Sequence, residues 1–419
     1  MQQKKNGIKD YPMNDFDNVY TVENNYAKHD PKYLKAMFGT TDVMPLWIAD
    51  MDFEIAKPIQ EAMQELVTRN IYAYEFNTGD VFKAIAQWNL KRHGLQLNPK
   101  SFLQVPGVLT GIGVLIRELT EKGDGIMVQT PVYHQFFNLI ESAERNVIGN
   151  SLKVVDGSYK MDFEDMERKL KTLNIKVILL CNPHNPVGRV WSRDELQKVI
   201  DIANRYGVTI ISDEIHSDIL YPNTKFNSIV SLEKSENHIA VLGFPAKTFG
   251  MQSISEGYVY VPNNETHRQI KSAISSLYLD HGNIISEYAT IAAYTKGEGW
   301  LDNLLEYLEK TITWIEGYLQ KGIPEITLYK PEGTYQIWLD FRKLNFSNNE
   351  LRHLIIKQAK LALTPGEWFE PDHPQFMRMN IASPLEKIQR AFYQLKDAIV
   401  TGIHHDFDDS SQSGNCCSC

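Results

Sequence analysis

The stretch VILLC at residues 177–181 is a continuous apolar run, and the polar turn NPHNP at residues 182–186 follows it directly. A short run of this kind, without alternating polar side chains, is typical of a strand buried on both faces of a sheet. Further runs of strand length and similar composition occur along the chain: GIMVQT (125–130), VTIISDE (208–214), AVLGF (240–244) and YVYVP (258–262). The sequence therefore predicts a sheet of buried strands.

Helical patterns lie before and between these strands. Candidate helices cover residues 58–68, 162–172 and 193–205, and Ser192, immediately before the last of them, is a typical N-cap residue. Alternation of strands and helices along a chain predicts a mainly parallel sheet with right-handed crossovers. We therefore expect an α/β fold.

The pattern changes after about residue 300. The segment LDNLLEYLEKTITWIEGYL (301–319) predicts a long amphipathic helix, and two short strands are predicted around ITLYK (326–330) and TYQIWLDF (334–341). These elements predict a smaller α+β domain. The expected organisation is an N-terminal arm with part of the small domain (1–50), a large domain (51–298), the C-terminal small domain (299–403) and a polar, disordered tail (404–419).

The composition limits the expected partners and compartments. The 419 residues carry a formal net charge of −9, which argues against a nucleic acid or an anionic membrane as the main partner. The N-terminus lacks the apolar core of a signal peptide, and no stretch has the roughly 18 to 20 apolar residues of a membrane span. Cys181 is the only cysteine before the last four residues, so a disulfide framework is excluded and a reducing cytoplasm is the expected compartment.

Polar and aromatic side chains follow the predicted strands at the points where the strands end. Asp213 follows VTIIS, Asn182 and Asn185 follow VILLC, Lys247 follows AVLGF, and Tyr133 follows GIMVQT. Ligands of open parallel sheets bind at the carboxyl ends of the strands, so we expect these side chains to lie together. A carboxylate can keep a ring nitrogen protonated, an amide can bind a ring hydroxyl, an aromatic side chain can stack on a ring, and a lysine can supply an amine. This set of side chains fits a pyridinium cofactor.

Several segments resemble, in order and at similar spacing, the MalY/PatB-type cystathionine β-lyases. The segments are PLWIADMDF (45–53), VPGVLTGI (105–112), PVYHQF (131–136), CNPHNPVGRVW (181–191), SDEIHSDI (212–219), AKTF (246–249), PEGTYQIWLDF (331–341) and MRMNIASP (377–384). These enzymes are a branch of the fold-type I, class I/II aminotransferases, which depend on pyridoxal 5'-phosphate (PLP). The resemblance extends over roughly residues 15–400. It implies a large PLP-binding domain with a mainly parallel, seven-stranded sheet between helices, and a homodimer with a shared active site.

The resemblance also implies roles for individual residues. Lys247 would form the Schiff base with PLP and shuttle protons, Asp213 would pair with the pyridine nitrogen, and Tyr133 would stack on the ring. Arg378 would bind the substrate carboxylate with a bidentate geometry that lysine cannot copy. The other cofactor-binding residues that the resemblance implies are Asn182, Asn185, His216, the turn Gly107-Val108-Leu109 at a helix N-terminus and the partner subunit's Tyr74, while Trp47 and Ala49 would line the substrate site.

Other interpretations stay open for several of these residues. Asn182 and Asn185 also suit a turn, because Asn-Pro is itself a turn signal. The remaining alternatives are core packing for Tyr133, a structural ion pair for Arg378, a structural role for His216, and Tyr72 in place of Tyr74.

The chain departs from the family pattern at two places. Around the lysine it has AKTFGMQSI (246–254), where the family has Ser or Thr, then Lys, Thr, Phe and Asn, an apolar pair and Gly-Leu. Because Ala246 and Gly250 lie beside the reactive lysine, they bear on reaction specificity more than on cofactor binding. The chain also ends in CCSC (416–419), for which a metal- or redox-responsive end, lipidation and an inert end are alternatives. No metal site is predicted, because Cys181 and His184 have no second pair of ligands at zinc spacing.

The resemblance implies a carbon–sulfur β-lyase as the function. Its small-molecule substrate would be an amino acid similar to cystathionine or a cysteine S-conjugate, and its products would be a thiol, pyruvate and ammonia. An aminotransferase uses the same residues and is the first alternative. A PLP-fold protein that binds ligand without turnover, acting as a regulator, is the second alternative.

Overall fold

The computed structural model describes residues 16–18, 26–75, 78–232 and 238–401. Its helices are α1 (Pro31–Phe38), α2 (Lys57–Thr68), α3 (Thr78–His93), α4 (Val108–Leu119), α5 (Gln135–Ser142), α6 (Phe163–Thr172), α7 (Arg193–Tyr206), α8 (Ala246–Phe249), α9 (Asn264–Ser276), α10 (Ile284–Lys296), α11 (Glu298–Gly322), α12 (Asn348–His353) and α13 (Leu385–Thr401). Its strands are β1 (Met44–Pro45), β2 (Phe102–Val105), β3 (Gly125–Val128), β4 (Asn146–Gly149), β5 (Lys153–Val155), β6 (Ser158–Lys160), β7 (Ile175–Cys181), β8 (Thr209–Asp213), β9 (Ile239–Gly243), β10 (Gly257–Tyr260), β11 (Thr327–Tyr329), β12 (Gln336–Asp340), β13 (Leu361–Ala362), β14 (Thr364–Pro365) and β15 (Phe376–Asn380).

The central sheet has seven strands in the order β2-β10-β9-β8-β7-β3-β4. Five adjacent strands, β9, β8, β7, β3 and β4, are parallel to one another. Strand β10 runs antiparallel to both of its neighbours, β9 and β2. The five predicted apolar runs form β3, β7, β8, β9 and β10. The predicted mainly parallel sheet is therefore confirmed, with one antiparallel strand inserted near its edge.

Burial on both faces explains why these strands contain so few polar residues. In β7, every residue except Lys176 is buried. The chain then turns into α7 through a capping box, in which the Ser192 hydroxyl accepts from the Glu195 N–H and the Glu195 carboxylate accepts from the Ser192 N–H. Such a box satisfies two backbone donors that the first turn of a helix leaves free. The predicted N-cap at Ser192 is therefore confirmed.

A smaller, antiparallel sheet consists of β11, β12, β15 and β14 in that order. It contains the strand pair predicted from ITLYK and TYQIWLDF, and the long predicted helix is α11. Trp338 of β12 stacks on Phe376 of β15 with ring centroids 5.2 Å apart, and both rings are buried. Together with α11 and α13, which contact each other, this sheet forms the predicted smaller α+β domain.

The segment before α2 is held against the smaller sheet. Strand β1 pairs in parallel with β13, and the Asn380 N–H donates to the Leu46 carbonyl at 2.9 Å. Farther upstream, Phe16 is buried against Phe53, with ring centroids 4.9 Å apart. Individual residues of the N-terminal part, such as Phe16, therefore contribute to the core.

The exact domain boundaries at residues 50, 298 and 403 stay predictions, and the tail at residues 404–419 lies outside the described residues. None of the helices in the described residues combines the length and the apolar character that crossing a membrane requires.

Candidate active site

The carboxyl edge of the central sheet brings together the residues predicted from the strand ends. Asp213 is the last residue of β8 and pairs in register with Cys181 of β7 and Leu242 of β9. Lys247 lies in α8, directly after β9. Because these strands are parallel neighbours, the side chains that follow them meet at one edge of the sheet.

Lys247 is the only one of these groups that supplies an amine. Its Nζ donates to the Ala49 carbonyl at 2.5 Å. Burial lowers the pKa of this amine from its usual 10.5 to about 8; Asp50 and Asp213 oppose the shift, and Arg378 adds to it. An amine with a pKa near 8 is partly neutral at physiological pH, so it can act as a nucleophile and accept a proton.

The short helix α8, which contains Lys247, is held in place by the carboxylate of Asp218. The Thr248 hydroxyl donates to Asp218 at 3.0 Å, and the same carboxylate accepts from the Trp88 indole at 2.9 Å and lies 2.8 Å from His93 Nε2. All of these contacts are buried or nearly so. The anchor fixes the backbone next to the amine, which keeps Lys247 directed at the sheet edge.

Gly250 ends this helix in a left-handed backbone conformation with φ +72°. Glycine adopts this conformation without strain, and asparagine is the other residue commonly found at such helix ends. Gly250 and the asparagine that the family has at this position therefore both allow the left-handed backbone conformation. This departure from the family pattern has a local conformational explanation, while nothing in the structure explains Ala246.

Asp213 is a buried carboxylate with one hydrogen bond to the main chain, accepted from the Ile215 N–H at 3.1 Å. Burial raises the pKa of this carboxyl group from 3.8 to about 6, although the backbone hydrogen bond and Lys247 both act to lower it. A buried carboxylate with so few partners is stabilised by a cationic group placed beside it. This property fits a protonated ring nitrogen.

Arg378 of β15 is buried and has no carboxylate partner among the described residues. Its Nη2 donates to the Trp47 carbonyl at 2.7 Å and to the Thr364 hydroxyl at 3.2 Å, while its Nη1 donates to the Asn185 side chain at 3.3 Å. The Nε atom is buried and has no partner in the described parts of the chain. A buried guanidinium that is paired only with neutral groups is costly unless an anion binds to it. The structural ion pair considered for Arg378 is therefore absent from the described residues, and a carboxylate ligand fits.

The two asparagines of the NPHNP turn differ in what their side chains do. The Asn182 amide donates to the Asn227 carbonyl at 2.9 Å and accepts from the Trp191 N–H at 3.1 Å. Both ends of this amide are thus engaged by the main chain, which favours the turn role for Asn182. The Asn185 side chain is buried, and among the residues that the structure describes it accepts only from Arg378, so its NH₂ group remains suited to a ligand.

Tyr133 and His216 flank the same region. Burial raises the pKa of Tyr133, with Arg378 acting against the shift and Asp213 adding to it, so its phenol stays protonated close to both charged groups. His216 is buried, and its Nδ1 atom has no partner within the described ranges. Burial, with repulsion from Lys247 and Arg378, lowers the pKa of His216 to about 3. This imidazole is therefore neutral at physiological pH.

The N-terminus of α4 has the features of a phosphate site. Gly107 precedes the helix with φ +149°, and no side chain caps the first N–H groups at Val108 and Leu109. The backbone approaches Gly257 so closely that a β-carbon there would lie 2.9 Å from the Val108 nitrogen. Free N–H groups and the helix dipole at such an end bind anions.

Trp47 and Ala49 reach the site through their main chains. The Trp47 carbonyl accepts from Arg378, but its indole donates to the Lys28 carbonyl at 3.1 Å and packs edge-on against Phe38 at 5.4 Å. The Ala49 carbonyl accepts from Lys247 and, at 3.1 Å, from the Tyr335 hydroxyl. Their contacts are thus with the reactive side chains themselves.

Tyr74 is 94% exposed, so it takes no part in these contacts within the chain. The competing Tyr72 is 57% exposed and donates its hydroxyl to the Val67 carbonyl at 3.3 Å. Tyr72 therefore has a local partner, whereas Tyr74 is almost fully exposed.

Sequence reasoning missed Tyr335, Lys28 and Asp50. Tyr335 is fully buried and its ring meets His216 edge-on at 5.8 Å. Lys28 is buried between Asp50 and Asp52 at 2.8 and 2.7 Å. The two aspartates interrupt the apolar segment IADMDF, which was the signal available; nothing in the sequence around Lys28 marks it.

Among the described residues, no group of three or more His, Cys, Asp or Glu side chains is placed to hold a metal ion. The Cys181 thiol donates to the Pro183 carbonyl at 3.3 Å, and His184 Nε2 lies 2.8 Å from the Pro131 carbonyl. Both side chains therefore serve the turn that follows β7.

Comparison with known proteins agrees with this arrangement. Residues 41–395 match the family model of aminotransferase class I and II. The cystathionine beta-lyase PatB of Bacillus subtilis is 36% identical over 364 residues, covering 87% of this chain and 94% of PatB. The protein MalY of Escherichia coli is 32% identical over 372 residues, covering 88% of this chain and 94% of MalY. The structure of cystalysin from Treponema denticola, which contains PLP, superposes with a TM-score of 0.88 at 28% identity, covering 93% of this chain and 99% of cystalysin. The chain therefore belongs to the class I and II aminotransferase family, in the branch that contains PatB and MalY.

Proposed function

We propose that this protein is a PLP-dependent carbon–sulfur β-lyase. Its substrate would be an amino acid similar to cystathionine or a cysteine S-conjugate, which it would convert to a thiol, pyruvate and ammonia. The observation that carries the proposal is the buried Arg378 guanidinium near the amine of Lys247. This guanidinium donates to neutral groups, and its Nε atom has no partner among the described residues. That pairing of groups suits an α-amino acid, because one binds its carboxylate and the other acts at its α-carbon.

The described residues fit PLP on four counts. Lys247 supplies a partly neutral amine, and the buried Asp213 carboxylate suits a protonated ring nitrogen. The uncapped N-terminus of α4 suits the phosphate, and the NH₂ group of Asn185, whose side-chain oxygen accepts from Arg378, suits the ring oxygen. When bound, PLP would supply an electron sink for the pair of electrons left on the substrate α-carbon.

The protein's own residues would then divide the work. Arg378 would fix the substrate carboxylate, which orients the α-hydrogen towards Lys247. The Nζ atom of Lys247 would take up that proton, and the Ala49 carbonyl would hold the amine in place between events. The buried Asp213 carboxylate would keep positive charge on the ring nitrogen. A thiolate would leave from the β-carbon and take up a proton to give the thiol. The remaining aminoacrylate would be hydrolysed by one water molecule to pyruvate and ammonia.

Named relatives support the lyase over transamination. PatB is named a cystathionine beta-lyase, and a PLP-bound C-S lyase from Staphylococcus hominis superposes with a TM-score of 0.85 at 27% identity, covering 92% of this chain and 98% of that one. Transamination and ligand binding without turnover would use the same residues, so the residues alone do not separate these functions from the lyase. An assay of the products distinguishes the three functions.

We also propose a cytoplasmic homodimer whose active sites are shared between subunits. Large apolar or aromatic side chains are strongly exposed on one subunit, among them Ile71 at 74%, Tyr74 at 94% and Tyr278 at 76%. Exposed groups of this kind are typical of an interface. The buried, unpaired Cys181 is compatible with a reducing compartment.

The test combines spectroscopy with product analysis, and Lys247→Ala is the control. Purified protein is mixed with PLP, and the visible absorption of the bound cofactor is recorded before and after L-cystathionine. We expect a visible band that Lys247→Ala lacks, with pyruvate and thiol released in equal amounts. Conversion of the cofactor to its amine form without pyruvate would favour the aminotransferase. A bound cofactor with no products from any sulfur amino acid would favour the regulator.

A further inference from the structure

The segment 46–52 links the two groups that the proposed reaction needs. Its Ala49 carbonyl accepts from Lys247 Nζ at 2.5 Å, and its Trp47 carbonyl accepts from Arg378 Nη2 at 2.7 Å. The Tyr335 hydroxyl also donates to the Ala49 carbonyl at 3.1 Å. A displacement of this one segment would therefore disturb the amine and the guanidinium together.

Lys28 lies on the far side of this segment and is 1% exposed. Its ammonium group is 2.8 Å from the Asp50 carboxylate and 2.7 Å from the Asp52 carboxylate, and it donates to the Asp50 carbonyl at 3.1 Å. The Lys28 carbonyl in turn accepts from the Trp47 indole at 3.1 Å. Lys28 thus contacts three of the seven residues of the segment.

The other anchors of the segment do not duplicate this contact. Asp52 is also paired with Lys387 at 2.7 Å, and Asn380 donates to the Asp50 carbonyl at 2.5 Å. The Asp50 carboxylate, however, has Lys28 as its only ion-pair partner among the described residues. Without Lys28, this carboxylate would be left next to the amine of Lys247, whose Nζ already touches the preceding carbonyl.

We infer that Lys28 is a positioning residue, which pairs with Asp50 and thereby holds the segment 46–52 where its carbonyls receive Lys247 and Arg378. The inference rests on the proposed function only for its effect on turnover. The geometry itself belongs to the cofactor-free protein, so it is testable there.

The charges around Lys247 give the test a direction. Asp50 and Asp213 raise the pKa of the Lys247 amine, whereas Arg378 and Lys28 lower it, and the adjacent His216 is neutral. Removal of Lys28 frees Asp50 to pair with Lys247, so the pKa of Lys247 should rise. Removal of the Asp50 charge should lower it. The two changes at one ion pair therefore act in opposite directions, which a loss of folding does not produce.

The first experiment is competitive acylation of the cofactor-free protein, with the Lys247 peptide quantified by mass spectrometry across a pH range. In Lys28→Met, we expect half-maximal labelling to move up by about one pH unit. Asp50→Asn should move it down, and the double variant Lys28→Met/Asp50→Asn should return it close to the wild-type value. The matched control is Lys32→Met, because Lys32 is an exposed lysine in α1, close to Lys28 in the chain. It should leave the labelling of Lys247 unchanged.

Turnover is the second readout. Because Lys247 and Arg378 are both affected, Lys28→Met should lower kcat and raise KM, with kcat/KM falling by about tenfold to a hundredfold. The inference is overturned if Lys28→Met behaves as Lys32→Met does in labelling and turnover. If Lys28→Met does not fold, Asp50→Asn breaks the same ion pair from its partly exposed side, and an unchanged labelling profile there also overturns it. If the wild type releases no pyruvate but the labelling pattern holds, the proposed function fails and the role of Lys28 stands.

Discussion

The buried, charged side chain of Asp213 lowers the free energy of unfolding of the cofactor-free protein. Its carboxylate is buried with one backbone donor, and burial raises its pKa to about 6. Between pH 4 and 6 the folded protein therefore binds a proton that the unfolded chain releases. The free energy of unfolding falls as the pH rises through this window, and the full cost of the buried charge is present above it.

We predict that Asp213→Asn stabilises the cofactor-free protein at pH 7 by about 3 kcal/mol, the equivalent of a pKa shift of about two units. The amide still accepts from the Ile215 N–H but carries no charge. At pH 4 the wild-type carboxyl group is protonated in the folded state, so the difference should disappear. Urea unfolding at both pH values measures this.

The exposed Asp201→Asn serves as the control for Asp213→Asn and should change little at either pH. A variant that is less stable than the wild type at pH 7 would show that the Asp213 carboxylate is already compensated within the cofactor-free protein.

Residues at strand ends were predictable because one rule, the meeting of parallel strands at their carboxyl ends, places them together. From the sequence alone, that rule predicted that Asp213, Asn185 and Lys247 lie close together. Tyr335 and Lys28 follow no such rule. The Tyr335 hydroxyl meets a carbonyl 286 positions away in the chain, and no local pattern encodes a contact of that separation.

At the scale of elements, the buried strands were predicted from continuous apolar runs, but their arrangement was only partly predictable. Strand β2 has the sequence FLQV, and its polar Gln104 breaks the apolar run, while β4 is partly exposed at the sheet edge. The antiparallel direction of β10 depends on how the chain crosses the sheet, which periodicity does not record.

The end of helix α8 allows a direct test of the departure beside Lys247. Gly250 has φ +72°, and a β-carbon there would meet Ile55 at 3.6 Å, which is an ordinary contact. Backbone conformation therefore decides which residues fit. We predict that Gly250→Asn leaves the free energy of unfolding within about 0.5 kcal/mol of the wild type, whereas Gly250→Val lowers it by about 1–2 kcal/mol.

Urea unfolding gives the two free energies for the Gly250 variants, and the visible band of the bound cofactor reports whether Lys247 is still correctly placed. Equal destabilisation by asparagine and valine would mean that space at this position, rather than backbone conformation, limits the choice.

At the scale of the whole molecule, the exposed Tyr74 gives a test of the proposed shared site. We predict that Lys247→Ala and Tyr74→Ala, each inactive alone, recover activity when their subunits are exchanged. Each mixed dimer would contain one site with both residues intact. Random exchange makes half of the dimers mixed, so about a quarter of the wild-type activity should return.

A mixture of Lys247→Ala with Arg378→Ala is the matched control, because those two residues belong to the same site of one chain. It should recover nothing. Recovery in the control, or none with Tyr74→Ala despite proven exchange, would contradict the assignment of Tyr74 to the neighbouring subunit.

The contacts made by the segment 46–52 have a consequence for mutational scanning. Trp47 and Ala49 hold Arg378 and Lys247 with backbone oxygens, which every amino acid possesses. A scan that replaces one side chain at a time would record position 49 as tolerant and position 47 as a packing residue. The importance of the segment would emerge at the side chains that keep it in place, among them Lys28, Asp50, Asp52 and Asn380.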